Sequence, residues 1–357
     1  MGSQATLKLN GNDVSIKDGE TLRALAARHG VSIPTLCHDD RLKAFGGCRL
    51  CVVAVEGVRN PVASCTTEAQ PGMVVETHTD EVEGYRRTLL EMLASENPAL
   101  NRDDLTGYAG QEMADLIDGY EASTSRFIGA RSGTSRADDL NPFIARNYDS
   151  CISCYRCVRV CNEQEGDFAL TVVGRGFSTQ ISTAFDTDLR ESSCTFCGQC
   201  VQTCPTGALT DRKAVRSSKF AGTTKKTRSI CTYCGVGCSV DLLTRGDKLV
   251  GVQPAMDGPA NEGALCVKGQ FAYDFVQHKD RLKTPLVRDA NGILQPTSWD
   301  AALDAAADGF RHAAETHGAH SVYGIASGRA PHEAAYSMQK FMRAGFGTNQ
   351  IDNCSRA

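Results

Sequence analysis

The chain has 357 residues, 41% hydrophobic and 22% charged, with a formal net charge of -4 and a pI near 6.1. That length and apolar content suit roughly two to four small domains with modest cores and argue against a disordered chain. The mildly acidic balance offers no basic field of the kind nucleic acid or an anionic membrane would require.

The opening "MGSQATLKLNGNDV" holds no apolar run of signal-peptide length, and the Arg86-Arg87 pair stands too far in for a twin-arginine signal. Gly2 with Thr6 formally fits a myristoylation pattern, but so short a pattern matches by chance. No stretch approaches the length of a membrane-crossing helix. The expectation is a soluble, cytoplasmic protein that binds neither nucleic acid nor membrane. In that reducing compartment seventeen cysteines are poor candidates for disulfides and point to metal. Sixteen of them form four groups of four, and Cys354 stands apart.

Residues 1–80 read as a ferredoxin-like β-grasp domain. "TLKLNGNDVSI" alternates around an Asn-Gly turn, a hairpin signal. "DGETLRALAARHG" is a helix opened by acidic residues, with Leu22, Leu25 and Ala26 on one face and Gly30 closing it. "RLCVVAVEGVRNPVASC" is a second hairpin and "GMVVETHT" a last strand. Cys37, Cys48, Cys51 and Cys65 place two thiolates in the loop "GGCRLC", one before it and one on the far strand. This suits a [2Fe-2S] cluster; zinc is the alternative, although structural zinc prefers two close C-x2-C pairs. The first interval exceeds the four residues of the plant-type spacing.

Residues 81–147 read as a helical segment ("DEVEGYRRTLLEML", "GQEMADLIDGY"). Residues 148–220 then carry C-x2-C-x2-C-x3-C twice, as Cys151, Cys154, Cys157 and Cys161 and as Cys194, Cys197, Cys200 and Cys204. In such pairs three cysteines of one loop hold one cubane and the fourth reaches the other. Cys151, Cys154 and Cys157 are therefore assigned with Cys204, and Cys194, Cys197 and Cys200 with Cys161, to two [4Fe-4S] clusters. Pro205 follows the second run, whereas Asn162 replaces the usual proline after the first.

Residues 228–285 hold Cys231, Cys234, Cys238 and the distant Cys266, a third [4Fe-4S] set for which zinc also remains open on spacing. Lys268 follows two residues later. It could place an ammonium between this cluster and an anionic cofactor, or be a solvated surface lysine. Residues 286–357 read as one strand and two helices, the incomplete start of an α/β domain.

Taken in order, "CHDDRLKAFGGCRLCVVAVEG", the ferredoxin pair, "CTYCGVGC", "CVKG", "RLKTPLVR", "SWDAALD" and "GFGTNQIDNCSR" resemble the N-terminal part of the catalytic subunit of cytoplasmic NAD- or ferredoxin-linked molybdenum or tungsten formate dehydrogenases. The resemblance implies an α+β multidomain string: β-grasp [2Fe-2S] domain, helical segment, two-[4Fe-4S] ferredoxin, [4Fe-4S] molybdopterin-oxidoreductase lobe and the start of an α/β domain. It implies that Lys268 is the electron link from the last cluster to the pterin. It also makes "IASGRAPHEAAYSMQKF" the strand, loop and helix start of the pterin-binding domain, with Ser327, Gly328 and Arg329 as cofactor-binding residues. The intact enzyme would oxidise formate to carbon dioxide at a bis-molybdopterin guanine dinucleotide centre. Electrons would pass through the clusters to an NAD- or ferredoxin-reducing flavin/iron–sulfur subunit.

The alternative is a non-catalytic relay resembling the large electron-transfer subunit of NADH dehydrogenases or hydrogenases. In all these families a His-x3-Cys-x2-Cys-x5-Cys set follows the [2Fe-2S] domain; here Asn97, Asn101, Asp104 and Gly110 stand at those positions, so the segment should have kept its helices and lost its metal. In the resembling enzymes "NCSR" plus one residue leads to the metal-bound cysteine or selenocysteine. The sequence would thus stop one position short of it, at a recoded UGA or in a shortened or fragmented gene. Cys354 would be a packing cysteine, and this chain alone would be inactive toward formate.

Overall fold

The Asn10-Gly11 pair, with φ of 49° and 79°, turns strand β1 (Thr6–Leu9) back onto β2 (Asn12–Ser15) in the computed structural model. Two successive left-handed residues match the twist of the strands they join. The structure describes residues 5–97, 110–129, 141–217 and 223–354. They fall into two units, residues 1–224 and 225–357.

In the first unit, helix α1 (Leu22–Arg28) is capped by Thr21, whose hydroxyl accepts from the Ala24 N–H at 3.2 Å. No acidic residue lies in its first turn, contrary to the expectation from "DGE". Glu20 instead accepts from the Lys17 N–H and pairs with Arg28 at the far end of the helix. Strands β3 (Val52–Val55), β4 (Val62–Ala63) and β5 (Val74–Glu76) complete a sheet of order β2-β1-β5-β3-β4, in which β5 lies parallel to β1 and antiparallel to β3. Its inward face carries Leu7, Leu9, Val53 and Val75 onto Leu22 and Leu25, and Cys51 and Cys65 belong to the same core.

Helix α2 (Asp80–Glu96) starts at Thr79, which accepts from the Val82 N–H, with Asp80, Glu81 and Glu83 in the dipole-favoured first turn. Its Leu90 and Ala94, with Met113 and Ile117 of α3 (Glu112–Gly119), pack on Leu36 and Leu50 of the first cysteine loop. Asn97 serves as the C-cap of α2, while Asn101 and Asp104 lie outside the described residues.

Strand β6 (Ile144–Arg146) leads to α4 (Arg156–Val160), which runs into a π-helical turn over Cys161–Glu165. After the hairpin β7 (Thr171–Val173) and β8 (Gln180–Ser182) come α5 (Gln199–Thr203), β9 (Leu209–Asp211), antiparallel to β6, and α6 (Arg212–Ser217).

The second unit opens with the antiparallel meander β10 (Lys225–Ile230), β11 (Ser239–Arg245) and β12 (Lys248–Pro254). Helix α7 (Val267–Phe271) follows, and Val240, Val252, Leu265 and Tyr273 form the local core. The remainder contains more than one strand: a hairpin of β13 (Leu286–Arg288) and β14 (Leu294–Pro296), then α8 (Trp299–His317), β15 (Gly324–Ala326), α9 (His332–Lys340) and β16 (Ile351–Asn353), the last parallel to β15. The hairpin forms because Asn291 and Gly292 allow a tight reversal, with Gly292 at φ 77°. Helix α8 buries none of its residues, and Trp299, Leu303 and Ile325 are exposed.

Candidate iron–sulfur cluster sites

None of the described cysteines is in a disulfide. Among the described residues no three of His, Cys, Asp and Glu converge tightly enough to hold a single metal ion. In the ferredoxin region the thiols instead line cavities. One is walled by Cys151, Cys154, Cys157 and Cys204, the other by Cys161, Cys194, Cys197 and Cys200. Leu209 on β9 borders both.

The two loops reach this arrangement through the same backbone trick. Ser153 and Tyr155 in the first, and Phe196 and Gly198 at the equivalent places in the second, all have positive φ, between 53° and 79°. The left-handed residues turn amides inward: Ser153 N–H donates to Cys151 Sγ and Phe196 N–H to Cys194 Sγ, each at 3.4 Å. Amides directed at sulfur favour thiolate over thiol. Burial works the other way, pushing the Cys157 and Cys200 thiols well up and Cys197 up to about 12. Four enclosed sulfurs around one void fit a polynuclear cationic core, whose charge would offset that desolvation.

At the first site, Leu36 N–H donates to Cys48 Sγ and Cys48 N–H to Cys37 Sγ, both at 3.3 Å, and Cys51 and Cys65 Sγ lie 3.3 Å apart. Hydrogen bonding with Cys48 and Cys65 draws the Cys37 and Cys51 thiols down, while Cys48 and Cys65 are themselves pushed up.

This cysteine loop is locked onto the ferredoxin helices by groups that no sequence motif singles out. Asp39, between Arg41 Nε at 3.0 Å and Nη2 at 2.7 Å, accepts from Thr203 Oγ1 at 2.7 Å. Arg41 Nη1 donates to Gln199 Oε1 at 2.6 Å. Arg159, between Cys157 and Cys161, donates to the Cys37 carbonyl at 3.3 Å and to the Lys43 carbonyl, and its guanidinium covers the Phe45 ring. Arg156 is buried against Glu112 and the Thr203 carbonyl. The only local signal was the density of charge in "CHDDRLK" and between the cysteines of "CYRCVRVC".

In the second unit, Cys231 N–H donates to the Cys238 carbonyl at 2.8 Å, closing the loop. Cys266 is the N-cap of α7, and Lys268 lies exposed within that helix. Lys268 and Cys231 line one apolar cavity with Tyr233 and Phe275; Cys234, Cys238 and Cys266 are not in its wall. Burial raises the Cys231 thiol, and Lys268 is among the groups that counter it. Ser327, Gly328 and Arg329 form the exposed turn between β15 and α9. A Cβ on Gly235 of the cysteine loop would sit 3.3 Å from the Ala330 carbonyl, so the structure brings the fourth cysteine loop against this turn. Cys354 is exposed rather than packed inside; its sulfur accepts from the Gly328 N–H at 3.3 Å. The parallel β15–β16 pairing puts it at the strand end beside that turn.

Family models match four stretches in sequence. A 2Fe-2S iron-sulfur cluster binding domain covers 2–80. The ferredoxin-like domain of NADH-quinone oxidoreductase subunit 3 covers 141–210. A molybdopterin oxidoreductase Fe4S4 domain covers 224–278, and molybdopterin oxidoreductase covers 281–357. At the family level the chain matches formate-dehydrogenase and NADH-dehydrogenase-like alpha subunits.

The chain is 35% identical over 96% of its length to a subunit of the NADH-quinone oxidoreductase of Rhizobium meliloti. It is 32% identical over 98% to the alpha subunit of NADPH-Fe(3+) oxidoreductase of Geobacter sulfurreducens, and 27% identical over its full length to a putative formate dehydrogenase of Staphylococcus aureus. It spans only 39% or 40% of each relative. A chain of the H2-reduced NAD+-reducing [NiFe]-hydrogenase superposes with a TM-score of 0.50 at 29% identity, covering 58% of this chain and 87% of that one. These matches bear out the expected order of modules. Among the described residues no helix is long and apolar enough to cross a membrane.

Proposed function

We propose that this chain is the electron-relay portion of an iron–sulfur oxidoreductase alpha subunit, binding one [2Fe-2S] and three [4Fe-4S] clusters. The reading is carried by the two ferredoxin-region cavities, each bordered by three cysteines of one motif and the fourth of the other. Such clusters would supply one-electron carriers. The protein's part is to hold thiolates, aim amides at them and exclude water. Cys37, Cys48, Cys51 and Cys65 would hold the [2Fe-2S] cluster, and Cys231, Cys234, Cys238 and Cys266 the last [4Fe-4S]. The electron partner would be a flavin/iron–sulfur subunit that exchanges electrons with NAD or ferredoxin. Relatives named for NADH and NADPH oxidoreductases favour this relay over the formate reading.

Anaerobic reconstitution with iron, sulfide and zinc analysis tests it. About 14 irons per chain and four paramagnetic signals on reduction are expected. Stoichiometric zinc at any of the four sets would overturn the assignment for that set.

A second reading is favoured by the molybdopterin oxidoreductase match over 281–357 and by the seating of the fourth cysteine loop against the turn at Ser327, Gly328 and Arg329. In it, a longer polypeptide oxidises formate at a molybdenum or tungsten bis-molybdopterin guanine dinucleotide centre, and Lys268 links that centre to the last cluster. Formate added to protein purified with its metal and pterin should then bleach the clusters. Retention of their oxidised spectrum would eliminate it.

A further inference from the structure

Arg86 lies on α2, outside every ligand motif, and is fully buried. Its Nε donates to the Leu50 carbonyl at 3.1 Å and its Nη2 to the Val52 carbonyl at 2.8 Å, the two residues on either side of Cys51. Its Nη1 meets Glu83 Oε1 at 2.8 Å. Glu83 is one-third exposed, whereas the Arg86 side chain is not exposed at all, so water screens the carboxylate more than the guanidinium. A planar fork reaching two carbonyls across one residue is a geometry that lysine's single ammonium does not reproduce.

Burying a cation is expensive unless something nearby rewards it. Four thiolates holding an iron–sulfur core carry net negative charge, and each electron added makes that group more negative. A cation fixed beside Cys51 therefore stabilises the reduced form more than the oxidised one. Glu83 offsets part of the effect.

We propose that Arg86 is a positioning residue for the [2Fe-2S] site: its fork fixes the backbone around Cys51, its charge raises the reduction potential there, and Glu83 opposes that charge. The proposal rests on the cluster assignment made above.

The test uses the full chain, reconstituted anaerobically, with the [2Fe-2S] signal followed in a dithionite titration that adds one electron per cluster. Arg86→Met should make reduction about tenfold less favourable, a downward shift of about 59 mV for a one-electron couple. Glu83→Gln should move the midpoint up. Arg86→Lys should keep most of the midpoint while hydrogen exchange at the amides around Cys51 accelerates, because the charge remains and the fork does not. A purely structural role predicts no opposed shifts. The proposal is overturned if Arg86→Met moves the midpoint less than twofold in equilibrium constant, or if Glu83→Gln fails to raise it. Should Arg86→Met not fold, Glu83→Gln and Arg86→Lys still decide. Absence of a [2Fe-2S] signal in the unaltered chain would instead strike the cluster assignment itself.

Discussion

Replacing Thr203 with Val removes one hydroxyl and should loosen the first cysteine loop, 164 positions away in sequence. Thr203 is 1% exposed and its Oγ1 lies 2.7 Å from Asp39 Oδ2. A hydrogen bond to a charged group contributes about 1.5–3 kcal/mol, and here water does not take its place. Asp39→Asn should act more strongly, by about 3–5 kcal/mol, because it leaves the Arg41 guanidinium, 12% exposed, without its carboxylate. Since both changes remove the charge-assisted form of this hydrogen bond, the amide keeping only a neutral one, the double variant should fall short of additivity by about 1 kcal/mol.

Native-state hydrogen exchange at the amides of residues 36–48 reads the opening free energy of this loop directly. The pH dependence has a definite sign. Burial alone would raise the Asp39 carboxyl, but Arg41 and Thr203 hold it well below the usual carboxylate range. Its folded value is thus lower than its unfolded one of about 3.9. The contribution is complete above that unfolded value and is lost as pH falls through the folded one. Opening of the loop should increase in acid for the unaltered protein and much less for Asp39→Asn. Additive effects of the two substitutions, or a Thr203→Val change under about 0.5 kcal/mol, would refute the coupling.

Cys161→Ser should abolish the paramagnetic signal of the cluster held by Cys194, Cys197 and Cys200 while leaving that of Cys151, Cys154 and Cys157, and Cys204→Ser should do the reverse; loss of the signal from the variant's own motif would reverse the assignment. Gly198→Ala should destabilise the second loop by about 1–2 kcal/mol, since Gly198 has φ 79°, and faster iron release to a chelator from that cluster alone would show it. Leu209→Ala, at a position 2% exposed and bordering both cavities, should lower stability by about 2–5 kcal/mol and speed iron release from both ferredoxin-region clusters; an effect on one only would mean that Leu209 is not their common wall.

The β-grasp hairpins, the helix over Leu22–Arg28 and the two cysteine runs were legible because their causes are local. Alternation, an Asn-Gly turn and a three-residue cysteine spacing act within a few positions of the chain. The start of α1 was misread because Thr21 and the acidic residues before it are all acceptable opening residues, and only the long reach from Glu20 to Arg28 settles which one caps. Cys354 was expected inside, yet a strand pairing formed by Gly324–Ala326 and Ile351–Asn353 sets it on an exposed turn.

The sequence by itself determined which sulfurs are close neighbours and which modules follow one another, since chain connectivity confines a C-x2-C-x2-C loop whatever surrounds it. Tertiary structure alone decided what stands around those sulfurs: Arg86 across 34 residues at Val52, Thr203 across 164 at Asp39, and Arg159 across 122 at Cys37. Such partners carry no spacing signal, because a hydrogen bond between distant segments depends on how their cores pack and on leaving no buried charge unpaired.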